Sequence, residues 1–292
     1  MTTLPPFELH RPGSVEEASG LLEELGDDAV VYSGGTELLL VMKLGFADHP
    51  HLVDVKRIAE LRRLEETNGV LEVGAAVTHL TVERSQLVRE RWPALASMER
   101  GVGNLRVRAM GSIGGNLCFA DPHSDPATFL LAVGGSLVCR GAAGAPRELS
   151  LDDFVQGPYQ TALQPGELLT AVRVPEPGPG AGIAHEKMSL HERPAVTVTC
   201  VVRVEGGEVV SARVAVGSVG IRPRRALDAE DALTGVPAAT LDAAVAAAAE
   251  AAAESAEPVE DANGSVEYKR QLVRVLVTRC ARRAVEQARG LS

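Results

Sequence analysis

Two stretches of this chain set adjacent glycines among short hydroxyl and amide side chains: Ser33-Gly34-Gly35-Thr36-Glu37 and Gly111-Ser112-Ile113-Gly114-Gly115-Asn116. A residue without a Cβ permits close backbone approach and positive φ. Turns built this way aim several backbone N–H groups at one anion, as phosphate sites do. The second stretch runs on into Asp121-Pro122-His123-Ser124-Asp125, which reads as turn-rich loop rather than helix. A carboxylate there, Asp125, is suited to accept hydrogen bonds from sugar or sugar-alcohol hydroxyls. A single double glycine is most simply a tight turn. Two of them suggest one pyrophosphate flanked by non-contiguous loops, a dinucleotide site.

The usual dinucleotide and phosphate motifs are missing. Gly101-Val102-Gly103-Asn104-Leu105-Arg106 lacks the third glycine of the Rossmann fingerprint and follows a helical stretch instead of a strand. There is no Walker A sequence, no HExxH and no Gly-x-Ser-x-Gly. His185-Glu186 and His191-Glu192 fit hydrated strand ends better than a metal site, and no metal is expected. The four cysteines, Cys118, Cys139, Cys200 and Cys280, are far apart, so no zinc or iron–sulfur ligand set is encoded locally. They read as reduced, mostly buried thiols. His123 is a candidate within the second loop, with a plain turn residue as the alternative. Lys187 stands on a strand, as a functional cation or as an ordinary surface lysine.

The elements that must position these residues follow from local pattern. Ser14-Val15-Glu16-Glu17 is a capping box opening a one-sided helix that ends at Gly26. Ala29 to Tyr32 is a strand leading into the first glycine turn, which opens a short helix to about Lys43. His51 to Val55 and Val70 to Ala75 read as strands. Thr78 begins a helical region reaching about Val102, interrupted at Pro93. Ser136 to Arg140 and Leu168 to Val174 are further strands, and the apolar run Ala127 to Val138 follows the second glycine loop. Glu176-Pro177-Gly178-Pro179-Gly180-Ala181-Gly182 is the clearest linker. Beyond it Ile183 to Leu190 is a strand, Ala195 to Val204 and Glu208 to Val219 form a hairpin about Gly206-Gly207, and the remainder is helical.

With 292 residues the chain is long enough for two cored domains. Its net charge of −10, without a basic stripe, argues against a nucleic-acid surface. Met1 to His10 has no apolar core of a signal peptide, and the alanine run Ala243 to Ala253 is too short to span a bilayer. A cytoplasmic protein with no membrane span is expected.

Taken together, these residues resemble a known family. Tyr32-Ser33-Gly34-Gly35-Thr36-Glu37-Leu38-Leu39 with Met42-Lys43 looks like the first FAD loop of the medium, flavin-binding subunits of molybdenum hydroxylases, the xanthine dehydrogenase and aerobic carbon monoxide dehydrogenase family. Val107-Arg108 and Gly111 through Asp125 resemble its second loop. Gly157-Pro158-Tyr159, Pro165-Gly166-Glu167-Leu168-Leu169 and Val174-Pro175 are similar to the end of its FAD domain, and Glu186-Lys187 with Gly220 to Pro223 to its C-terminal domain. Thr36 looks closer to the xanthine-dehydrogenase-like members. Ala109 and Met110 stand where relatives often carry polar residues.

The resemblance implies an α+β chain with a vanillyl-alcohol-oxidase (PCMH) type FAD-binding domain over residues 1–178. That domain would comprise two α/β subdomains, about 1–56 and 57–178. A C-terminal domain of the CO-dehydrogenase-flavoprotein kind, residues 183–292, would hold a three-stranded antiparallel sheet and helices. It implies that Val31, Tyr32, Ser33, Gly34, Gly35, Thr36, Glu37, Leu38, Gly111, Ser112, Ile113, Gly114, Gly115, Asn116 and Asp125 line FAD. Val102, Leu169 and Lys187 would stand on the flavin side, Lys187 tuning the flavin. It further implies partners: an iron–sulfur small subunit with two [2Fe–2S] clusters and a molybdopterin large subunit, in a dimer of heterotrimers. Electrons would pass from molybdenum through the clusters to FAD and on to an external acceptor. A stand-alone flavin oxidoreductase with its own organic substrate is the alternative, although no strong His–Asp or Tyr–Arg set is visible to serve it. A nucleotide-binding module without redox activity is a third possibility.

Overall fold

A computed structural model describes residues 3–142, 144–189 and 193–290. Three larger sheets follow one another along the chain, beside a two-stranded ribbon of Val155–Gly157 and Gln160–Thr161. The first is three-stranded and parallel, in the order Glu8–His10, His51–Asp54, Ala29–Tyr32. The helix Val15–Leu25, capped by the Ser14 hydroxyl accepting from the Glu17 N–H, buries Val15 and Ala18 against it. The capping box and the Gly26 stop are where sequence placed them.

The second sheet is five-stranded and antiparallel: Leu64–Thr67, Val70–Gly74, Leu168–Pro175, Ser136–Arg140, Arg147–Ser150. Helices His79–Arg84, Gln86–Arg91 and Pro93–Gly101 pack over it, with Trp92, Leu95 and Met98 in the shared core. The predicted helical region is thus broken at Ser85 as well as at Pro93. Ser85 ends one helix and caps the next by accepting from the Val88 N–H.

The third sheet carries the strands Ala181–Met188, Val196–Glu205 and Glu208–Gly217, antiparallel as expected. Two-residue strands, Arg224–Arg225 and Val236–Pro237, extend it. The stretch after the hairpin is therefore not all helical, as expected from sequence, and its first helix begins only at Leu227. Helices Asp242–Ser255 and Val266–Ala288 cover one face. Packing there is tight: a Cβ on Gly182 would overlap the carbonyl of Ala284 on the long helix.

The main departure from expectation lies between the second and third sheets. Ile113–Phe119 and Asp125–Val133 are helices, not loop. Ser124 caps the latter through the Ala127 N–H, and Pro126 sits in its first turn, where proline's missing N–H costs nothing. Residues 125–132 of this helix are all buried, because it is wedged between two domains and has no solvent face.

Candidate functional site: the two glycine loops and the domain contact

The strand Ala29–Tyr32 ends at the first glycine loop, and its neighbour His51–Asp54 delivers Lys56 beside it. The Lys56 ammonium lies 3.6 Å from the centroid of the Tyr32 ring, 3.0 Å from Asp54 Oδ1 and donates to the Ser33 carbonyl at 3.2 Å. Three contacts to one ammonium fix the direction in which the loop leaves the sheet.

The two loops meet. Ser112 Oγ donates to Ser33 Oγ at 2.9 Å. A Cβ on Gly34 would overlap the Met110 carbonyl and lie 2.6 Å from Gly111 Cα, and one on Gly111 would lie 3.3 Å from Thr36 Oγ1. Gly34 is therefore needed for backbone-to-backbone contact between the loops. Gly35 is needed for its conformation, at φ +69°. The side chain of Met110 is exposed while its carbonyl makes the contact, so the apolar side chain plays no part in holding the loops together.

The second loop corrects the expectation of an anion-binding turn. Gly114 and Gly115 are helical, and the N–H groups here already have partners. Ile113 donates to Val77, Gly114 to Ala75, Gly115 to Ser112 Oγ and Asn116 to the Ser112 carbonyl, at 3.0–3.1 Å. Gly114 is required by contact, since its Cβ would lie 2.5 Å from that of Ala75. Gly115 instead presents an exposed backbone face. In the first loop, by contrast, the N–H groups of Gly34, Gly35 and Thr36 donate to no protein acceptor among the described residues. They are half-buried. Three successive N–H groups with no protein acceptor form a cradle suited to phosphate oxygens. Of the two loops, only the first leaves a run of successive N–H groups without a protein acceptor among the described residues.

Beneath the second loop lies a pair that sequence reading missed. His79 donates from Nδ1 to Glu99 Oε2 at 2.6 Å with both side chains buried, and its backbone N–H holds the Gly111 carbonyl at 3.1 Å. Twenty residues of separation hide it in the sequence.

Asp125 and Lys187, 62 residues apart, are brought together. The Lys187 ammonium pairs with Asp125 Oδ2 and donates to the Gly101 carbonyl at 2.8 Å. Thr197 Oγ1 donates to Asp125 Oδ1 at 3.2 Å. Asp125 is 5% exposed, so its carboxylate is occupied by protein donors across the domain boundary. Nearby, burial depresses the His185 imidazole to about 4; Asp125 opposes this and Lys187 reinforces it. The His185 ring shares a 2.8 Å hydrogen bond with Thr199 Oγ1 and packs edge-on against Phe129. Val102 and Leu169 are both buried in the core of the second sheet's layer.

Arg193 is a second bridge that sequence reading missed. It lies 3.0 Å from Asp121 Oδ2 and 3.5 Å from Glu37 Oε2, linking the C-terminal domain to both loops. His123 donates from Nδ1 to Asp121 Oδ1 at 2.8 Å and faces Asp261 at 3.6 Å, so it ties a turn to the C-terminal domain. Asp121 is held below the usual carboxylate range: burial pushes it up, but the His123 hydrogen bonds and Arg193 outweigh that. His191 and Glu192 lie outside the described residues. All four thiols are free, and burial raises Cys118 to about 12 and Cys139 to about 11, far from a reactive thiolate.

Residues 5–177 match the family described as FAD binding domain in molybdopterin dehydrogenase, and residues 190–284 the CO dehydrogenase flavoprotein C-terminal domain. The chain is 36% identical to the carbon monoxide dehydrogenase medium chain of Hydrogenophaga pseudoflava, covering 94% of this chain and 96% of that one. It is 33% identical to the corresponding chain of Afipia carboxidovorans, covering 97% and 98%. These relatives run against the hint from Thr36 toward xanthine-dehydrogenase-like members. A solved structure of the Hydrogenophaga pseudoflava carbon monoxide dehydrogenase superposes with a TM-score of 0.93 over 97% of this chain and 98% of that one. With more than half its length matched and a fold this similar, the chain belongs to the FAD-binding medium-subunit family of the molybdenum hydroxylases, and is an oxidoreductase subunit whose cofactor is FAD.

Proposed function

We propose that this chain is the FAD-carrying electron-transfer subunit of a molybdenum-containing hydroxylase. In this reading it takes electrons from [2Fe–2S] clusters on a small subunit, and a large subunit holds the molybdopterin. An external acceptor then reoxidises the flavin. The observation that carries the reading is the first glycine loop: three successive N–H groups without a protein acceptor, pressed against a second loop by the Ser33–Ser112 hydrogen bond. Bound there, FAD supplies the hydride and single-electron chemistry; the protein binds and orients it. Gly34, Gly35 and Thr36 hold the pyrophosphate through backbone N–H groups. Val31, Tyr32, Ser33, Glu37 and Leu38 complete the first wall, and Gly111 to Asn116 form the second. The Asp125–Lys187 pair, with Val102 and Leu169, closes the flavin end at the contact between an FAD domain of residues 1–178 and a C-terminal domain of residues 183–292.

Partner subunits are supported by the surface beside the loops. Leu40, Leu44 and Phe46 follow the first loop, and Leu105 and Met110 precede the second; all are exposed, Phe46 at 81%. The two loops touch through Gly34 and Met110, so these side chains flank the site, and exposed apolar groups of this kind mark protein contacts. The relatives named above are medium chains, which fits a dimer of heterotrimers in the cytoplasm. No helix among the described residues is long and apolar enough to cross a membrane.

The test is assembly. Expressed alone, the chain is expected to carry flavin and to show no turnover of organic substrate. Purified from its native source, it is expected to bring down one chain with iron–sulfur absorption and one with bound molybdopterin. Full substrate turnover by the isolated chain would make it an independent oxidoreductase.

A further inference from the structure

The first sheet gathers three metal-ligating side chains far from any motif the sequence shows. Glu8 and His10 lie two apart on the edge strand, so they project from the same face. Parallel pairing sets Glu8 opposite His51, the first residue of the central strand. His10 Nε2 is 3.1 Å from His51 Nδ1, and His51 Nδ1 is 3.7 Å from Glu8 Oε2. One ligand atom from each of the three lies within 4.8 Å of the other two.

We propose that Glu8, His10 and His51 form a binding site for a divalent transition-metal ion of the zinc type. Two ligands of a tetrahedral ion at about 2.0–2.1 Å stand about 3.3–3.4 Å apart. The separations of 3.1 and 3.7 Å bracket that value. A hydrogen bond accounts for the two imidazoles alone, since one proton can lie between them. The Glu8 carboxylate converges on the same nitrogen at 3.7 Å, at ion-pair distance, so all three side chains point at one spot. Two imidazoles and one carboxylate favour zinc, nickel, cobalt or copper over magnesium or calcium, which prefer all-oxygen shells. The site is open to solvent, His51 being 25% and Glu8 68% exposed, so an ion can enter and water can fill a fourth position.

The ligands stand at the end of the sheet where His51 pairs with Ala29, whereas the glycine loop leaves the other end, where Asp54 pairs with Tyr32. About 10 Å of strand separates them. The ion therefore clasps a three-residue edge strand to its neighbour and takes no part in flavin chemistry. Imidazole ligands must be unprotonated, so occupancy falls in acid.

The test uses the untagged, flavin-loaded chain, stripped with EDTA and dialysed, then titrated with Co2+. One equivalent is expected to give visible d–d bands on the long-wavelength side of the flavin absorption, abolished by competing Zn2+. His10→Gln and His51→Gln should each weaken Co2+ at least about 100-fold, a loss exceeding that from altering outer-shell partners. Their FAD content should be unchanged, which shows that they fold. Zn2+ should raise the melting temperature of the parent protein and not of the variants. Absence of d–d bands at one equivalent would overturn the site, and so would equal Co2+ affinity in the parent and in a His10→Gln/His51→Gln double variant.

Discussion

At the scale of residues, the glycines divide by what a Cβ would meet. Gly34 faces the Met110 carbonyl and Gly114 faces Ala75, so neither neighbour can swing away as a side chain tip would. Gly115 would meet only Ser112 Oγ, at 3.0 Å. Gly34→Ala is therefore expected to separate the loops and weaken FAD binding more than tenfold, a loss above about 1.4 kcal/mol, as read by equilibrium dialysis. Gly115→Ala should leave the melting temperature of the apoprotein nearly unchanged. The reverse order of effects would contradict this assignment. Sequence alone marked both pairs for close backbone approach but could not name what they approach, because that neighbour is remote in the chain. His185 adds a dependence on pH. Its folded-state value, about 4, lies below the ordinary 6.5, so the unfolded chain binds the proton first as pH falls. Its contribution is complete above about 6.5 and is lost progressively down to about 4, on the order of 3 kcal/mol in all. Urea unfolding at pH 7 and pH 5 should show lower stability at pH 5, and His185→Gln should flatten the difference. An equal slope in parent and variant would remove His185 as the cause.

At the scale of elements, most strands and the amphipathic helices were legible because period and capping are local. The helix Val15–Leu25 announces itself by a capping box, and the hairpin Val196–Glu205/Glu208–Gly217 by its double-glycine turn. Several elements were not legible, among them the strands Glu8–His10 and Leu64–Thr67, the helix Leu105–Met110, and two further helices at the site. Asp125–Val133 looks like loop running into an apolar stretch, since a helix buried on all sides has no polar face to give it a period. Its Ser124 cap and Pro126 were nevertheless readable as a helix start. Ile113–Phe119 was obscured by its glycines, tolerated in a helix here because contact with Ala75 demands one of them. The Asp125–Lys187 pair joins one of these helices to the strand Ala181–Met188. Removing one partner of a buried pair leaves a stranded charge, at a cost of about 3–5 kcal/mol. The upper part of that range belongs to full burial, and Lys187 is 21% exposed, so a loss near about 3 kcal/mol is expected for Lys187→Met. Adding Asp125→Asn should recover much of it. If Lys187 also tunes the flavin, the single variant lowers the midpoint potential in a redox titration. An unchanged potential alongside the stability loss would confine Lys187 to joining the domains.

At the scale of the whole molecule, the three larger sheets are arranged so that the first glycine loop, the second, and the domain contact follow one another along one region. Arg193 bridges from the C-terminal domain to Asp121 and Glu37, and Lys187 to Asp125. Tertiary bridges of this kind carry no local signature, so they were invisible before the fold was known, whereas the paired loops were enough to suggest a dinucleotide. The Glu8, His10 and His51 cluster was hidden for the same reason: its two strands are 41 residues apart. The central claim is that the first loop holds the pyrophosphate of a non-covalent FAD. It is tested most directly by acid precipitation of the purified chain, with the released chromophore identified by chromatography and mass. The account predicts one FAD per chain in the supernatant and a colourless pellet. Release of FMN, a pellet that stays yellow, or a chain that purifies without flavin and fails to take up added FAD would contradict it.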